Sequence, residues 1–315
     1  MKCLILGIGG QDGSYLADIL LEQGHEVYGL VRHSSADNLW RVRHCLDSLH
    51  LVQGDVTDQT LVPRVIDDLL PDEVYNVADQ DHVEYSYSNP MISWDVTARA
   101  AVGVMEAIRR YSPASRMYQP CSATVFGHAP YPQNESTTFN PLSPYACAKA
   151  AAYYATRYYR EVCGVGVCQA ILYNHDSPRR GPGYLLQEIA RKAVDCFFNH
   201  STEMLLGDPS CIVDVGYARD YMEAVVTMMR LSEPDDFVLS SGNARPIRFI
   251  AQKALEIVGV DVPINADLDF NFKRPDSRSR LVGDSTKAAM LFGFNPKSTW
   301  EVVLRMIIDR MLRSE

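Results

Sequence analysis

No apolar run in this sequence reaches the roughly 18 residues that a helix needs to cross a lipid core, so a membrane span is not expected. Its eight cysteines include no CxxC, and its histidines form neither HxxxH nor HExxH. Zinc sites and disulfides are therefore not expected, and the thiols, scattered among apolar segments, read as buried and free. An excess of positive charge is also missing. With a net charge of -9 the chain offers no basic face for nucleic acid or an anionic membrane. Internal repeats, low-complexity tracts and a charged tail are absent too, and the cytoplasm is the expected location. What remains, 47% hydrophobic and 22% charged, is the composition of an ordinary globular protein large enough for two unequal domains.

Short β-branched runs alternate with amphipathic stretches through the first half. KCLILGI, EVYGLVR, LHLVQGD, EVYNVA, RMYQPC and VCQAILY read as strands; SYLADILLEQ, LVPRVIDDLL, DVTARAAVGVMEAIRRY and SPYACAKAAAYYATRYYREV read as helices. Strand and helix repeated in this way predict an α/β, doubly wound parallel sheet of the Rossmann type with a smaller C-terminal substrate-binding domain. The expected division is 1–173 for the dinucleotide side, with 214–242 returning to it, and 174–213 with 243–315 as a cap. Helices are expected near 184–199, 217–230, 246–258 and 299–313, and FVLSSG as a strand rejoining the sheet.

Gly7, Gly10 and Gly13 stand between the first strand and the first helix. Glycines there let the backbone approach a pyrophosphate at the positive end of the helix, with Gln11 and Asp12 in the same turn. At the end of the second strand, where an NAD-binding protein usually carries a carboxylate for the ribose, this chain has Arg32. A guanidinium pairs with a 2'-phosphate, so NADP is favoured over NAD, although an arginine at a strand end can also be a solvated surface charge. Asp55, followed by Val56, is a candidate partner for the adenine amino group.

Tyr145 and Lys149 lie four apart on one helical face, an arrangement in which the ammonium is expected to lower the phenol's pKa and ready it to take a proton. Ser122, at the end of RMYQPC, would hold the same substrate oxygen, giving an acid/base set for oxidising an alcohol to a ketone. His82, His128 and His175 have no metal-like spacing and read as hydrogen-bonded structural or pocket residues. The run YYATRYY reads as helix packing. Arg179 and Arg180, in SPRRG just beyond the last strand of the first half, are placed to clamp a diphosphate.

GIGGQDGSYLADILLEQGHEV, VRHSS, HVEYSY, SPYACAK, LYNHDSPRRG, SEPDDFV and RPDSRSRLVGDSTKA together resemble the GDP-mannose 4,6-dehydratase family, extended short-chain dehydrogenases, over essentially the whole chain. The GxxGxxG spacing is likewise that of the short-chain dehydrogenases. The resemblance implies bound NADP, a GDP-hexose substrate, and homodimers or homotetramers built partly through the loop after Arg32. It also implies roles for His175 at the cofactor and for Asn174 and Arg274 at the substrate. In the family's reaction a hydride leaves C4, water is lost across C5 and C6, and the hydride returns at C6.

The chain departs from that pattern at several positions. The family's TSE stands where Ser122 and Thr124 bracket Ala123, and a threonine hydroxyl is too weak an acid to replace a carboxyl group. SATVFG resembles instead the SATVYG of UDP-galactose 4-epimerases, which leaves C4 epimerisation or ketone reduction as alternatives. Asp81 replaces the serine of QSHV, Val213 aligns with an arginine, and Ser277 with a glutamate. A non-catalytic nucleotide-binding homologue is the competing class, favoured by Thr124, Val213 and Ser277.

Overall fold

The computed structural model describes residues 1–267 and 280–314. Its first half runs β1 (Lys2–Leu6), α1 (Gln11–Glu22), β2 (Glu26–Val31), β3 (Leu49–Gln53), α2 (Leu61–Leu69) and β4 (Glu73–Asn76). Then come two short helices, α3 (Val83–Ser88) and α4 (Pro90–Ser93), followed by α5 (Ala100–Tyr111), β5 (Arg116–Ser122), α6 (Pro144–Glu161) and β6 (Gly166–Leu172). The stretch predicted as one helix from Asp95 to Tyr111 begins with wider π turns over Trp94–Arg99 before it becomes α-helical.

Beyond β6 lie β7 (Asn174–Asp176), α7 (Leu185–Asn199), β8 (Met204–Leu206), β9 (Ile212–Val213), β10 (Val215–Tyr217) and α8 (Ala218–Met228). The chain ends with β11 (Asp236–Leu239), β12 (Arg245–Pro246), α9 (Ile247–Val258), β13 (Ile264–Ala266), α10 (Thr286–Phe292) and α11 (Trp300–Ser314).

Seven parallel strands form the main sheet in the order β11-β6-β5-β4-β1-β2-β3. The order reverses at β1, so a crevice opens between the ends of β1 and β4, the place where open α/β sheets take their ligands. Such strands need apolar side chains on both faces. Cys3, Leu4, Ile5 and Leu6 of β1 and Phe237, Val238 and Leu239 of β11 are buried accordingly.

A separate cluster gathers Leu186, Ile189, Ile250, Leu255, Trp300, Leu304 and Ile307 from α7, α9 and α11. FVLSSG rejoins the sheet as expected, with β11 pairing β6. Asp236 at its start accepts hydrogen bonds from Tyr153 Oη and Arg160 Nη1, each at 2.8 Å, and so fastens α6 to the sheet edge.

Two packing expectations need correction. All eight cysteines are free, but Cys45, Cys147, Cys163 and Cys211 are only half-buried, because none of the four lies in a strand of the sheet. In YYATRYY, Tyr153 packs into the core while Tyr154 and Tyr158 are exposed, since an 18-residue helix lying on a sheet turns only one stripe inward. No helix among the described residues is long and apolar enough to cross a membrane.

Candidate active site

The glycine turn follows β1 directly. Gly7 has φ +92°, and a Cβ there would stand 2.8 Å from the Ala78 backbone; one on Gly13 would stand 2.4 Å from the Gly7 carbonyl oxygen. Any side chain would therefore push the turn away from β4 and α1. Helix α1 begins at Gln11 behind Gly10, an N-cap without a side chain, so its first N–H groups have no capping side chain. Bare amides at a positive helix end, beside a turn that tolerates no side chain, fit the pyrophosphate of a dinucleotide.

Asp12, in the first turn of α1, accepts from His175 Nε2 at 3.0 Å, and the other ring nitrogen lies 2.8 Å from the Tyr173 carbonyl. Burial alone would push the Asp12 carboxyl up, but the His175 charge and hydrogen bond, with Arg180 further off, hold it down at about 2. For His175 burial works downward and Asp12 upward, and Asp12 prevails, raising the imidazole above its ordinary value. Thus His175 fixes Asp12 beneath the glycine turn. Gln11 is buried and accepts from Ser177 Oγ at 2.8 Å.

Arg32 is exposed at the end of β2, along a cavity of about 680 Å³ that Asp79, Gln80, Asp81 and His82 also line. Asp55 uses its carboxylate to accept from the backbone N and hydroxyl of Thr57, at 2.9 and 2.7 Å, and Val56 is buried beside it. Arg41 carries a signal the sequence did not give. From the loop after Arg32 it donates to the carbonyls of Gly9, at 2.9 Å, and Arg179, at 2.5 Å, placing a cation on the glycine turn.

The chemical end is assembled by β4, β5 and α6. Ser143 caps α6 by accepting from Ala146 N at 3.1 Å, with Pro144 at the first helical position, and this fixes where Tyr145 and Lys149 fall. Both are buried. Lys149 Nζ donates to the Pro120 carbonyl at 3.1 Å and pairs with Asp79 Oδ2 at 2.5 Å, 5.7 Å from the Tyr145 ring centre. Ser122 Oγ accepts from Thr124 Oγ1 at 3.0 Å.

The expectation that Lys149 lowers the phenol's pKa is overturned. Burial pushes Tyr145 well above its ordinary value, the carboxylates of Asp79 and Asp81 push it further, and only the Ser122 hydroxyl pulls back appreciably. An ammonium already neutralised by Asp79 has little field left for the phenol. Asp79 itself was not legible beforehand, for nothing in NVADQDHV marks which carboxylate will reach a lysine on a distant helix.

Arg179 and Arg180 do not converge. Arg179 turns onto α1, pairing with Asp18 at 2.7 Å and lying over the Tyr15 ring, while Arg180 pairs with Asp81 at 2.8 Å and stacks 3.6 Å from the Tyr184 ring centre. The two stand in a tight turn closed by Arg180 N on the Ser177 carbonyl at 3.0 Å, so their side chains leave toward different elements, and α1 supplies a partner for only one. Tyr184 Oη donates to the other Asp81 oxygen at 2.7 Å. Asn174 is exposed in β7, His82 caps α3, and His128 is exposed rather than set in a pocket. Glu135 accepts from Val238 N at 2.7 Å and serves the sheet edge. Val213 pairs in register with Arg245 of β12. Arg274 and Ser277 lie outside the described residues.

Comparison with known proteins agrees with this layout. The family described as GDP-mannose 4,6 dehydratase matches residues 4–307. GDP-mannose 4,6 dehydratase 1 of Arabidopsis thaliana is 37% identical over 321 residues, covering 98% of this chain and 89% of the relative. The human GDP-mannose 4,6 dehydratase is 31% identical over 333 residues, covering 97% and 90%. Among solved structures, the Thermus thermophilus UDP-glucose 4-epimerase in complex with NAD superposes with a TM-score of 0.86 at 22% identity over 100% of both chains, a likeness of fold.

Proposed function

Since the chain belongs to the GDP-mannose 4,6-dehydratase family, we propose that it is an NADP-dependent enzyme acting on a GDP-linked hexose, with oxidation of the C4 hydroxyl as the step its residues support best. The observation that carries this reading is the convergence of Tyr145, Ser122 and Lys149 at the carboxyl end of β5 and the first turns of α6, beside the bare glycine turn. Residues 1–173 with 214–242 form the dinucleotide side, and 174–213 with 243–315 the sugar-nucleotide side. The separate apolar cluster of α7, α9 and α11 supports that division, whereas α10 departs from it, since Ala288, Phe292 and Phe294 pack with Phe237 and Tyr221 in the core of the main sheet.

Gly7, Gly10, Gly13 and the first amides of α1 would hold the pyrophosphate of the dinucleotide, Arg32 its 2'-phosphate, and Asp55 the adenine. The nicotinamide supplies a hydride acceptor when bound. Tyr145 exchanges a proton with the sugar hydroxyl, and Ser122 orients the oxygen on which that exchange occurs. Lys149 supports the pair from the next turn of the same helix. Asn174, Arg180 and Arg274 serve the nucleotide diphosphate.

No carboxyl stands at position 124, and Thr124 points its hydroxyl at Ser122. Asp79 and Asp81 are both engaged by cations. Loss of water from C5 and C6 thus lacks its proton donor, and this observation favours a second reading in which the C4 ketone is reduced again, as in an epimerase. Incubation with GDP-mannose and NADP separates the two. Hydrogen exchange at C4 with retention of the C6 hydroxyl supports the proposal, a 4-keto-6-deoxy product returns the chain to full dehydration, and no hydride transfer with any nucleotide sugar points to a binding protein.

A further inference from the structure

Lys149 is 3% exposed in its side chain, and Asp79 12%. An ammonium buried so deeply is strongly disfavoured unless it is paired and hydrogen-bonded. Here it is held between Asp79 Oδ2 at 2.5 Å and the Pro120 carbonyl at 3.1 Å. Asp79 is itself fixed, because its Oδ1 accepts from the Thr97 hydroxyl and from Gln80 N, the latter at 2.9 Å. The carboxylate therefore presents one oxygen to the wall of the pocket and the other to the lysine.

We propose that Asp79 is a positioning residue for the Tyr145/Lys149 pair: it anchors the ammonium, cancels its field at the phenol, and leaves Tyr145 to act as a proton donor. The proposal rests on the reading of Tyr145 as the acid/base group. Its chemical consequence is in the pH dependence of the C4 step. A site that keeps its tyrosine protonated is ready to deliver a proton to a ketone oxygen as hydride arrives at carbon, whereas oxidation of the alcohol must wait until the phenol has given up its proton.

The groups facing the phenol support this. Asp79 and Asp81 come from the loop after β4, Cys121 and Ser122 from the end of β5, Tyr184 from the turn before α7, and Lys149 from the tyrosine's own helix. Two carboxylates face one ammonium, and Asp81 takes Arg180 as its cation while Lys149 pairs with Asp79. Both anionic neighbours and burial favour the neutral phenol.

Asp79→Asn tests the idea while keeping the amide oxygen for Thr97. Phenolate absorbance is followed against pH in the intact protein, and the part belonging to Tyr145 is obtained by subtracting the matching Tyr145→Phe protein. The expected result is a midpoint about one to two pH units lower in Asp79→Asn than in the wild type. The pH at which C4 oxidation reaches half its maximum should fall by the same amount, and Asp79→Glu should restore the wild-type midpoint. If Asp79→Asn does not fold, Asp79→Ser reads the same shift.

An unchanged midpoint in the folded variant overturns the proposal. If the midpoint moves and no variant turns over a nucleotide sugar, the assigned reaction fails and the role of Asp79 stands. Turnover that needs Tyr145 but keeps one pH profile with and without Asp79 upholds the reaction and overturns the inference.

Discussion

Arg180 and Asp81 meet at 2.8 Å across the mouth of the crevice, joining the loop after β7 to the loop after β4. The pair occupies the guanidinium proposed above for the diphosphate. Asp81→Ser should release it and lower KM for a GDP-sugar, while Arg180→Ala should raise KM about 10- to 100-fold, the worth of a charged hydrogen bond. Initial rates over a range of GDP-mannose concentrations check both, and equal KM values in all three proteins would place the diphosphate elsewhere.

Removing the phenol oxygen is the most direct probe of the chemistry. Tyr145→Phe should cut kcat about 10²- to 10⁴-fold, because proton transfer in the transition state is lost, yet leave dinucleotide affinity unchanged. Stopped-flow hydride transfer and NADPH fluorescence read the two quantities separately.

A carboxyl group can be put back where the family carries one. Thr124→Glu should add water loss and return of the hydride at C6 to C4 oxidation, giving a product lighter than GDP-mannose by one water. Mass spectrometry of the nucleotide sugar checks this. A wild type that already dehydrates GDP-mannose would show that the donor is not required at position 124.

Asp12 and His175 give a pH dependence of stability whose sign can be worked out. The raised His175 imidazole contributes fully below its ordinary 6.5 and loses that contribution as pH rises through its folded value. Asp12, held at about 2 instead of 3.8, contributes above 3.8 and loses its share as pH falls through about 2. The Tm difference between the wild type and Asp12→Asn should therefore be widest from about pH 4 to about pH 6.5 and shrink on either side. Thermal melts of the ligand-free protein across pH check it, and a constant difference would contradict the pairing.

The sequence made the sheet legible because period and punctuation are local. GIGGQDG between an apolar run and an amphipathic one could hardly be anything but a strand, a turn and a helix. Tyr145 and Lys149 were legible for the same reason, since four residues on a capped helix share a face. What was not legible depends on who else arrives. The direction of the Tyr145 shift was misread because Asp79 comes from a different strand end, and Arg179 was wrongly grouped with Arg180 because Asp18 and Tyr15 of α1 are visible only in three dimensions. Arg41 looked like any loop arginine until the chain folded back over Gly9.

Fastening α6 through Asp236 has a consequence during synthesis. The helix that carries Tyr145 and Lys149 leaves the ribosome long before β11, yet Tyr153 and Arg160 find their carboxylate only once residue 236 has emerged. A nascent chain stopped before residue 236 would have the whole glycine turn and both Tyr145 and Lys149, with an unpaired β6 edge and an α6 still lacking its Asp236 contacts. The last edge of the sheet and two anchors of α6 therefore depend on one late strand.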